Sequence, residues 1–420
     1  MQEDKNTYLL ECLLEKAREA SFSALFLSNE FADQYGRWQW LVGYDAAYTT
    51  SNLSEVDLMS NTPWFGYISY DYKNVIEPML QSQHKVLSQF STVKFVQPKT
   101  WVGLDRNGQL HGNADGLAFG EAILNNPITQ SASPKGDRET LPKLHWEAHT
   151  AREEYLSHIA QIQHHIKEGD FYEMNHCIAF SAQAKIDPYQ TFAALNRKAP
   201  APFACFVKDE TQFLLCASPE RYIALHNERL ISQPIKGTRK RQITSEPEQR
   251  EVDAQAVLSL KNAPKDRAEN IMIVDLVRND LSRVCAPGSV RVPELCEVYT
   301  YSHVHQMIST VVGEPKPGIG LKEVVHATFP MGSMTGAPKI AVMQNTEQFE
   351  RFSRGVYSGS VGYVFQGAMD FNVVIRALVY DDVQQKLSYA VGGAITIDSD
   401  AAEEYQECLD KAATVLSIFG

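Results

Sequence analysis

The sequence predicts an α+β fold built on antiparallel sheets. Strand-like runs and helical stretches follow one another irregularly along the 420 residues, whereas a doubly wound parallel sheet requires strict alternation. Hydrophobic residues make up 44% of the chain and charged residues 21%, which is typical of a globular protein that buries a large core. We therefore expect mixed helices and antiparallel strands.

The chain divides into three predicted regions. Residues 1–124 form a mixed N-terminal region with aromatic clusters, and we expect it to complete the sheets of the core. Residues 125–143 are rich in Pro, Ser, Asn and charge, which indicates an exposed connecting segment. Residues 144–420 carry the clearest periodicity, so we expect the catalytic region there.

Three helices are predicted in this last region. The stretch 150–153 has the pattern of a capping box, and apolar residues at helical spacing continue from it to Gly169, where the helix should stop. A second helix is predicted over 266–283 and a third over 401–418. The predicted strands are 171–180, 203–207, 213–217, 222–226, 356–365, 371–379 and 387–394.

Charge and cysteine content exclude several classes of protein. The formal net charge is −12, so the molecule repels nucleic acid and anionic membranes, and an anionic substrate needs a local cationic pocket. None of the seven cysteines shows the spacing of a zinc or redox motif, which favours buried thiols in a reducing compartment. No signal-peptide pattern or membrane-length apolar stretch occurs, so we expect a soluble, cytoplasmic protein.

Two short motifs offer acid–base or nucleophilic chemistry. In 232–241, four of the last six residues are cationic; the alternatives are a solvated basic loop or a shaped site. A Pro-Ile pair directly before Lys236 favours a partly desolvated amine with a lowered pKa and available nucleophilicity. Sixteen residues earlier, Glu220 either forms a structural ion pair with Arg221 or serves as a general acid.

Two carboxylate pairs are candidates for a metal site. Asp266 and Glu269 lie three residues apart at a helix start, and Glu404 and Glu407 lie three apart on the final helix, so each pair shares a helical face. The structural alternatives are a helix cap for the first pair and an ion pair of Glu407 with Lys411 for the second. The functional alternative is a shared Mg²⁺, which prefers oxygen ligands and commonly uses one or two carboxylates.

Other segments are suited to anion binding. The glycine-rich turn at 329–339 lacks the strand, lysine context and hydroxyl of a phosphate loop, which argues against a nucleotide. The backbone of Gly392 and Gly393 can offer N–H groups to an anion. Arg376, among apolar neighbours in a predicted strand, is either a carboxylate clamp or a sheet-edge arginine reaching solvent.

Taken together, these motifs resemble the chorismate-utilising family, which includes anthranilate synthase large subunits, aminodeoxychorismate synthase aminating subunits, isochorismate synthases and salicylate synthases. The resemblance implies an anthranilate-synthase-like fold, with antiparallel sheets packed in a sandwich flanked by helices. The matching segments, in the family's order, are 218–222, 234–238, 269–280, 332–339, 357–363 and 404–411.

The resemblance also implies roles for individual residues. Mg²⁺ would be held through Glu269 and Glu407, with Asp266 and Glu404 acting behind them or through water, and it would bind the ring carboxylate of chorismate. The residues matching positions that bind the substrate are Gly237, Thr238, Ser333, Lys339, Tyr357, Arg376, Gly392 and Gly393.

The lysine at position 236 narrows the range of reactions that the resemblance implies. Anthranilate synthases usually carry alanine there, whereas the lysine is similar to the aminodeoxychorismate-forming type, in which the amine adds at C2 while Glu220 protonates the departing C4 hydroxyl. Ammonia then enters at C4 and expels the lysine. Isochorismate and salicylate synthases need a water-activating lysine where this chain has Glu173, so addition of water at C2 is disfavoured.

No glutaminase signature occurs in the sequence, so the resemblance implies that ammonia comes from a separate glutamine amidotransferase subunit. The expected product is 4-amino-4-deoxychorismate, a precursor of 4-aminobenzoate and folate. Two alternatives stay open: an anthranilate synthase component I, and a homologue that binds chorismate without turnover. The Leu-Leu-Glu-Ser stretch of feedback-inhibited anthranilate synthases does not occur in 20–30, so tryptophan regulation is not expected.

Overall fold

The computed structural model describes residues 2–82, 84–125, 141–241, 247–301 and 304–420. Within these ranges, no helix has the length and apolar character needed to cross a membrane. The helices are α1 (Gln2–Glu19), α2 (Lys73–Ile76), α3 (Ala114–Asn125), α4 (Arg152–Glu168), α5 (Pro188–Lys198), α6 (Pro247–Lys261), α7 (Pro264–Val284), α8 (Leu321–Thr328), α9 (Lys339–Phe349) and α10 (Ala401–Leu416). The strands are β1 (Phe22–Leu27), β2 (Trp38–Thr50), β3 (Trp64–Ile68), β4 (Val93–Asp105), β5 (Leu110–Gly112), β6 (Glu147–Ala148), β7 (Glu173–Gln183), β8 (Phe203–Asp209), β9 (Gln212–Ser218), β10 (Arg221–His226), β11 (Arg229–Gln233), β12 (Ile235–Lys240), β13 (Arg291–Thr300), β14 (Val304–Gly313), β15 (Gly336–Ala337), β16 (Ser360–Phe365), β17 (Ala368–Asn372), β18 (Ala377–Asp381) and β19 (Lys386–Ile395).

Two antiparallel sheets form the core. One runs β7–β19–β18–β9–β8–β1–β2–β4. The other runs β3–β16–β17–β10–β11–β14, with β12 and β13 also paired to β14. Strand β4 pairs with both β2 and β3 and so joins the two sheets. The predicted α+β fold with antiparallel sheets is confirmed.

Apolar side chains between and outside the sheets complete the sandwich. Buried residues of β1, β8 and β9 meet those of β3 and β16 in one cluster, for example Cys205 and Phe65. Helices α4, α5 and α10 pack on β7, β9 and β19, whereas helix α7 packs on β12, β13 and β14 and against α8. The N-terminal strands therefore belong to the same sheets as the strands of residues 144–420. The boundaries of the three predicted regions stay a prediction, and most of the connecting segment, 126–140, lies outside the described residues.

The predicted capping box at the start of α4 is wrong. The residue at the N-cap is Ala151, which has no side chain able to accept a hydrogen bond, and the Thr150 hydroxyl is buried without a partner among the described residues. The motif fails because the helix begins one residue later than the pattern requires. Its end is confirmed: Gly169 adopts φ 88°, and its N–H bonds the carbonyl groups of the last turn.

The predicted strand 371–379 is interrupted in its middle. β17 ends at Asn372 and β18 begins at Ala377, and between them the chain leaves the ladder, with Arg376 at φ 52°. The Val373 N–H donates to the Glu220 carbonyl at 3.0 Å, and the Val374 N–H donates to the Gly359 carbonyl at 2.9 Å. These backbone bonds to other segments replace strand pairing, so Arg376 is neither within a strand nor at a sheet edge.

Candidate active site

Lys236 lies in a pocket formed by three elements. It follows the start of β12, and its side chain is 11% exposed. The Nζ atom donates to Oε1 of Glu173 on β7 at 2.8 Å and lies 4.0 Å from Oε2 of Glu269 on α7. Two carboxylates that lie 63 positions before and 33 positions after Lys236 in the chain therefore meet at its ammonium group. The predicted proximity of Lys236 to Glu269 is present.

The predicted lowering of the Lys236 pKa is wrong. Burial lowers the pKa of Lys236, as the sequence suggested, but the carboxylates of Glu173, Glu269 and Glu220 raise it by more. The amine is therefore held as an ammonium ion in the absence of substrate. A nucleophilic role requires that it lose a proton, for which Glu173 Oε1 is the hydrogen-bonded acceptor.

Glu220 is a buried carboxyl group beside this ammonium. It occupies the turn between β9 and β10, where its N–H donates to the Ser218 hydroxyl and its carbonyl accepts from Val373. Burial raises the pKa of Glu220 to about 7, against the lowering effects of a hydrogen bond from Ser333 and the charges of Lys236 and Arg376. A carboxyl group that is partly protonated near neutral pH suits a general acid.

Arg376 is a half-buried cation with an open guanidinium group. Its side chain forms no hydrogen bond or ion pair with any residue that the structure describes. Burial lowers the pKa of Arg376, and Tyr389 and Glu220 act in the opposite direction. Because the group faces Glu220, it can offer a bidentate contact to an anion at the same pocket.

Two glycines form part of the wall on β19. Gly392 pairs with Cys177 and Gly393 with His176 on β7. A Cβ atom on Gly392 would lie 2.6 Å from the Cys177 Sγ, so no larger residue fits without a shift. A Cβ atom on Gly393 would lie 3.3 Å from Oε2 of Glu404, which places that carboxylate beside the strand.

Buried residues that the sequence did not single out hold this wall together. Arg354 forms an ion pair with Glu350 at 2.6 Å and donates to the carbonyl oxygens of Met334 at 2.7 Å and Asn175 at 3.0 Å. Glu350 also accepts from the Cys177 N–H at 2.9 Å. The spacing of four residues between Glu350 and Arg354 was a visible signal, but nothing in the sequence shows that the pair is buried.

Ser333 and Tyr357 also contact residues of this buried region. The Asn175 side-chain amide donates to the Ser333 carbonyl at 3.0 Å, and the Ser333 side chain lies near enough to Glu220 to lower its pKa. The Tyr357 hydroxyl lies 3.7 Å from the Cys177 Sγ, and burial raises the pKa of Tyr357 well above its usual value. Ser333 therefore lies beside Glu220, and Tyr357 contacts the strand next to Gly392.

Glu269 is the carboxylate best suited to a cation. Its Oε1 is buried and has no hydrogen-bond partner among the described residues. Burial raises the pKa of Glu269 to about 7, with Lys236 and Lys265 opposing and Glu173 and Asp266 adding to the effect. A buried oxygen without a donor fits coordination to a hard cation such as Mg²⁺.

The other three predicted metal residues have partners. Glu404 accepts from Lys265 at 3.0 Å and from Ser399, and Asp266 is paired with Arg239 at 2.9 Å. Glu407 forms the ion pair with Lys411 that was the structural alternative, at 2.7 Å. In the described ranges, no three His, Cys, Asp or Glu side chains lie close enough to hold a metal together. Mg²⁺ commonly takes only one or two carboxylates and completes its shell with water and substrate, so Glu269 and the neighbouring acids of α10 still fit the ion.

The structure leaves two predicted substrate residues outside the cluster. Thr238 is exposed on β12, although the adjacent Gly237 lies against Asp266, with φ 82°. The Lys339 ammonium donates to Asp280 at 2.5 Å and to the Thr328 carbonyl at 2.8 Å. It faces a separate cavity of about 270 Å³, whose lining contains none of the other predicted site residues.

The fold and the arrangement of these residues define a class. Residues 15–417 match the family of chorismate binding enzymes, and the chain belongs to that family.

Individual proteins of similar sequence have names that are more specific than that of the family. The chain is 43% identical over 272 residues to aminodeoxychorismate synthase component 1 of Klebsiella aerogenes, covering 64% of this chain and 59% of that protein. The match to the protein of the same name in Escherichia coli K12 is 39% identical over 272 residues, covering 64% and 58%. The chain thus spans about three fifths of the length of these relatives. An anthranilate synthase component I-like protein of Synechocystis is 33% identical over 378 residues, covering 86% of this chain and 75% of that protein.

Solved structures show the same fold. Anthranilate synthase component I of Streptococcus pneumoniae matches with a TM-score of 0.72 and 23% identity, covering 97% of this chain and 85% of that one. The menaquinone-specific isochorismate synthase of Escherichia coli matches with a TM-score of 0.75 and 16% identity, covering 98% and 91%.

Proposed function

We propose that this chain is the aminating subunit of an aminodeoxychorismate synthase, which converts chorismate and ammonia into 4-amino-4-deoxychorismate. A single observation carries the proposal: the Lys236 side chain, 11% exposed, lies beside the buried Glu220 carboxyl group, whose pKa is raised by burial. A nucleophile and a general acid in one site are what replacement of a hydroxyl group requires. The relatives named aminodeoxychorismate synthase component 1 support the same reaction.

In the proposed reaction, the chain's own residues move one proton each way. Lys236 passes a proton to Glu173 and adds at C2 of the ring, both ring double bonds shift, and the C4–O bond breaks. Glu220 protonates the departing hydroxyl, which leaves as water. Ammonia then adds at C4, both double bonds return, and Lys236 leaves C2 and takes its proton back from Glu173. The new ammonium group at C4 gives one proton to Glu220, which restores the acid. The sum is chorismate plus ammonia giving the amino product plus water.

Arg376 would hold a substrate carboxylate, because it lies beside Glu220 and its guanidinium has no partner in the described structure. The resemblance assigns the backbone at Gly392 to the same task. Mg²⁺ would be held by Glu269, with Glu407 and Glu404 nearby, and would supply positive charge for a ring carboxylate. Ammonia would come from a separate glutaminase subunit.

The test is a product assay on the purified chain with chorismate, Mg²⁺ and ammonium chloride. We expect 4-amino-4-deoxychorismate, identified by mass and by release of 4-aminobenzoate when a lyase is added. The Lys236→Ala variant should lose amination by about 10³-fold or more while still binding chorismate, because covalent catalysis is removed. Lys240→Ala, which changes an exposed lysine on the same strand, is the control.

Two results would refute the proposal. Anthranilate and pyruvate as products would assign the chain to anthranilate synthases, which the length of the match to the Synechocystis relative also favours. Chorismate binding without any turnover would support a binding homologue.

A further inference from the structure

Glu173 has one carboxylate oxygen in use and one that is free. The residue lies at the start of β7 and is 1% exposed. Its Oε1 accepts from Lys236 at 2.8 Å, whereas its Oε2 is buried and has no hydrogen-bond partner among the described residues. A buried carboxylate oxygen without a donor is unfavourable, so the position suits a ligand that brings an N–H or O–H group or a positive charge.

The charges around this oxygen favour a small cation. Three carboxyl groups, those of Glu173, Glu269 and Glu220, act on the single ammonium of Lys236. Of the other cations, Lys265 is bonded to Glu404 on another helix, and Arg376 acts on Glu220. Lys236 bonds only Oε1 of Glu173, so a small cation at Oε2 would bring a donor to the oxygen that lacks one.

We propose that Oε2 of Glu173 is the binding site for the ammonium ion that supplies the amino group, an inference that rests on the proposed function. Ammonium is small, brings the N–H donors that Oε2 lacks, and predominates over ammonia near neutral pH. Its four N–H donors can satisfy the free oxygen while leaving others for neighbouring groups. The site adjoins Lys236, the group that ammonia must displace, so the cosubstrate is held next to the reacting ring. Before it adds at C4, the bound ammonium ion gives one proton to Glu220, which is ionised after protonating the leaving hydroxyl, and the product then carries its amino group as an ammonium.

Binding is measured first, without turnover. At matched ionic strength, ammonium chloride should raise the Tm of the full chain relative to sodium chloride, because a ligand that binds the folded state stabilises it. The Glu173→Gln variant keeps the shape of the side chain and its bond from Lys236 but loses the charge, so this increment should disappear. The Glu403→Gln variant, which removes an equal charge from an exposed position, should keep it.

Turnover is measured second, with saturating chorismate and Mg²⁺. Glu173→Gln should raise the KM for ammonium about tenfold or more, since a charge-assisted hydrogen bond is lost, and should leave the KM for chorismate within about twofold. Potassium chloride should compete with ammonium in the wild type and not in this variant. If Glu173→Gln does not fold, Glu173→Asp keeps the charge and should retain a smaller Tm increment.

Three outcomes overturn the proposal, and a fourth separates it from the proposed function. A weaker Mg²⁺ activation with an unchanged KM for ammonium would make Glu173 a metal ligand, and a lower kcat with both KM values unchanged would limit its role to positioning Lys236. If Glu173→Gln and Glu403→Gln both keep the Tm increment, ammonium binds elsewhere. A normal increment in a wild type that forms no aminated product would refute the proposed function and leave the cation site standing.

Discussion

Replacing Glu220 with glutamine tests both the burial of this group and its chemistry. Its pKa rises from the usual 4.5 to about 7 because of burial. The difference of about 2.5 pH units corresponds to about 3 kcal/mol. Between pH 4.5 and 7 the unfolded chain has released this proton while the folded chain retains it, so the wild type loses stability as the pH rises.

Glutamine carries no charge at any pH and avoids this loss. Glu220→Gln should therefore be more stable than the wild type at pH 8, and the difference should grow by about 2 kcal/mol between pH 5.5 and pH 8. The same variant should lose about 10²- to 10⁴-fold in turnover, because the general acid is gone. In the wild type, kcat/KM should fall as the pH rises through about 7, where the acid loses its proton.

Urea unfolding at the two pH values, followed by tryptophan fluorescence, measures the stability difference, and the amination assay measures turnover. The exposed Glu228→Gln variant removes the same charge from a turn and should change neither quantity. An inactive Glu220→Gln variant whose stability matches the wild type at both pH values would show that burial does not hold the proton. Full activity in this variant would remove Glu220 from the mechanism.

Three further predictions concern the pocket wall and the metal. Mg²⁺ should bind more tightly as the pH rises through about 7, because a proton on Glu269 competes with the ion; calorimetric titrations at pH 6 and 8 that give equal affinities would contradict this. Arg376→Gln should raise the KM for chorismate about 10- to 100-fold with a smaller effect on kcat, through loss of a charge-assisted bond, whereas the exposed Arg229→Gln should not; equal KM values in steady-state kinetics would refute the clamp. Gly237→Ala should cost about 1–2 kcal/mol, seen as a lower urea midpoint, since φ is 82° and the added Cβ would lie 2.8 Å from the Asp266 carboxyl carbon; an unchanged midpoint would show that the loop adapts.

The local pattern of apolar residues in the sequence was sufficient to predict the long helices of this fold. The helix predicted over 266–283 corresponds to Pro264–Val284, and that over 401–418 to Ala401–Leu416. Apolar periodicity identifies such helices because their apolar side chains lie on a single face of the helix. The run 371–379 shows the limit: its residues are apolar enough for a strand, but backbone bonds to Glu220 and Gly359, far away in the sequence, draw its centre out of the ladder.

The sequence predicted several residues of the candidate site, but it did not predict the direction of the Lys236 pKa shift. The sequence indicated Lys236, Glu220 and Glu269, and the structure places them around one pocket. It did not indicate that Glu173, 63 residues before Lys236, would bond to it. Reading burial from the neighbouring Pro and Ile gave the wrong direction for the Lys236 pKa, because the opposing carboxylates come from three separate segments.

The carboxyl groups of the pocket also affect how a protein with a net negative charge could bind a ligand that carries two negative charges. With the pKa of both Glu220 and Glu269 near 7, the two groups are partly neutral at physiological pH, while Lys236 and Arg376 stay positive. The pocket is therefore less negative than its residue count suggests, and under the proposed function a substrate with two carboxylates would meet cations beside protonated acids. Raising the pH would ionise Glu220, which would remove the proton for the proposed leaving group and add a charge that repels this substrate. Binding and chemistry should consequently weaken together above about pH 7, so that the KM for chorismate rises while kcat falls.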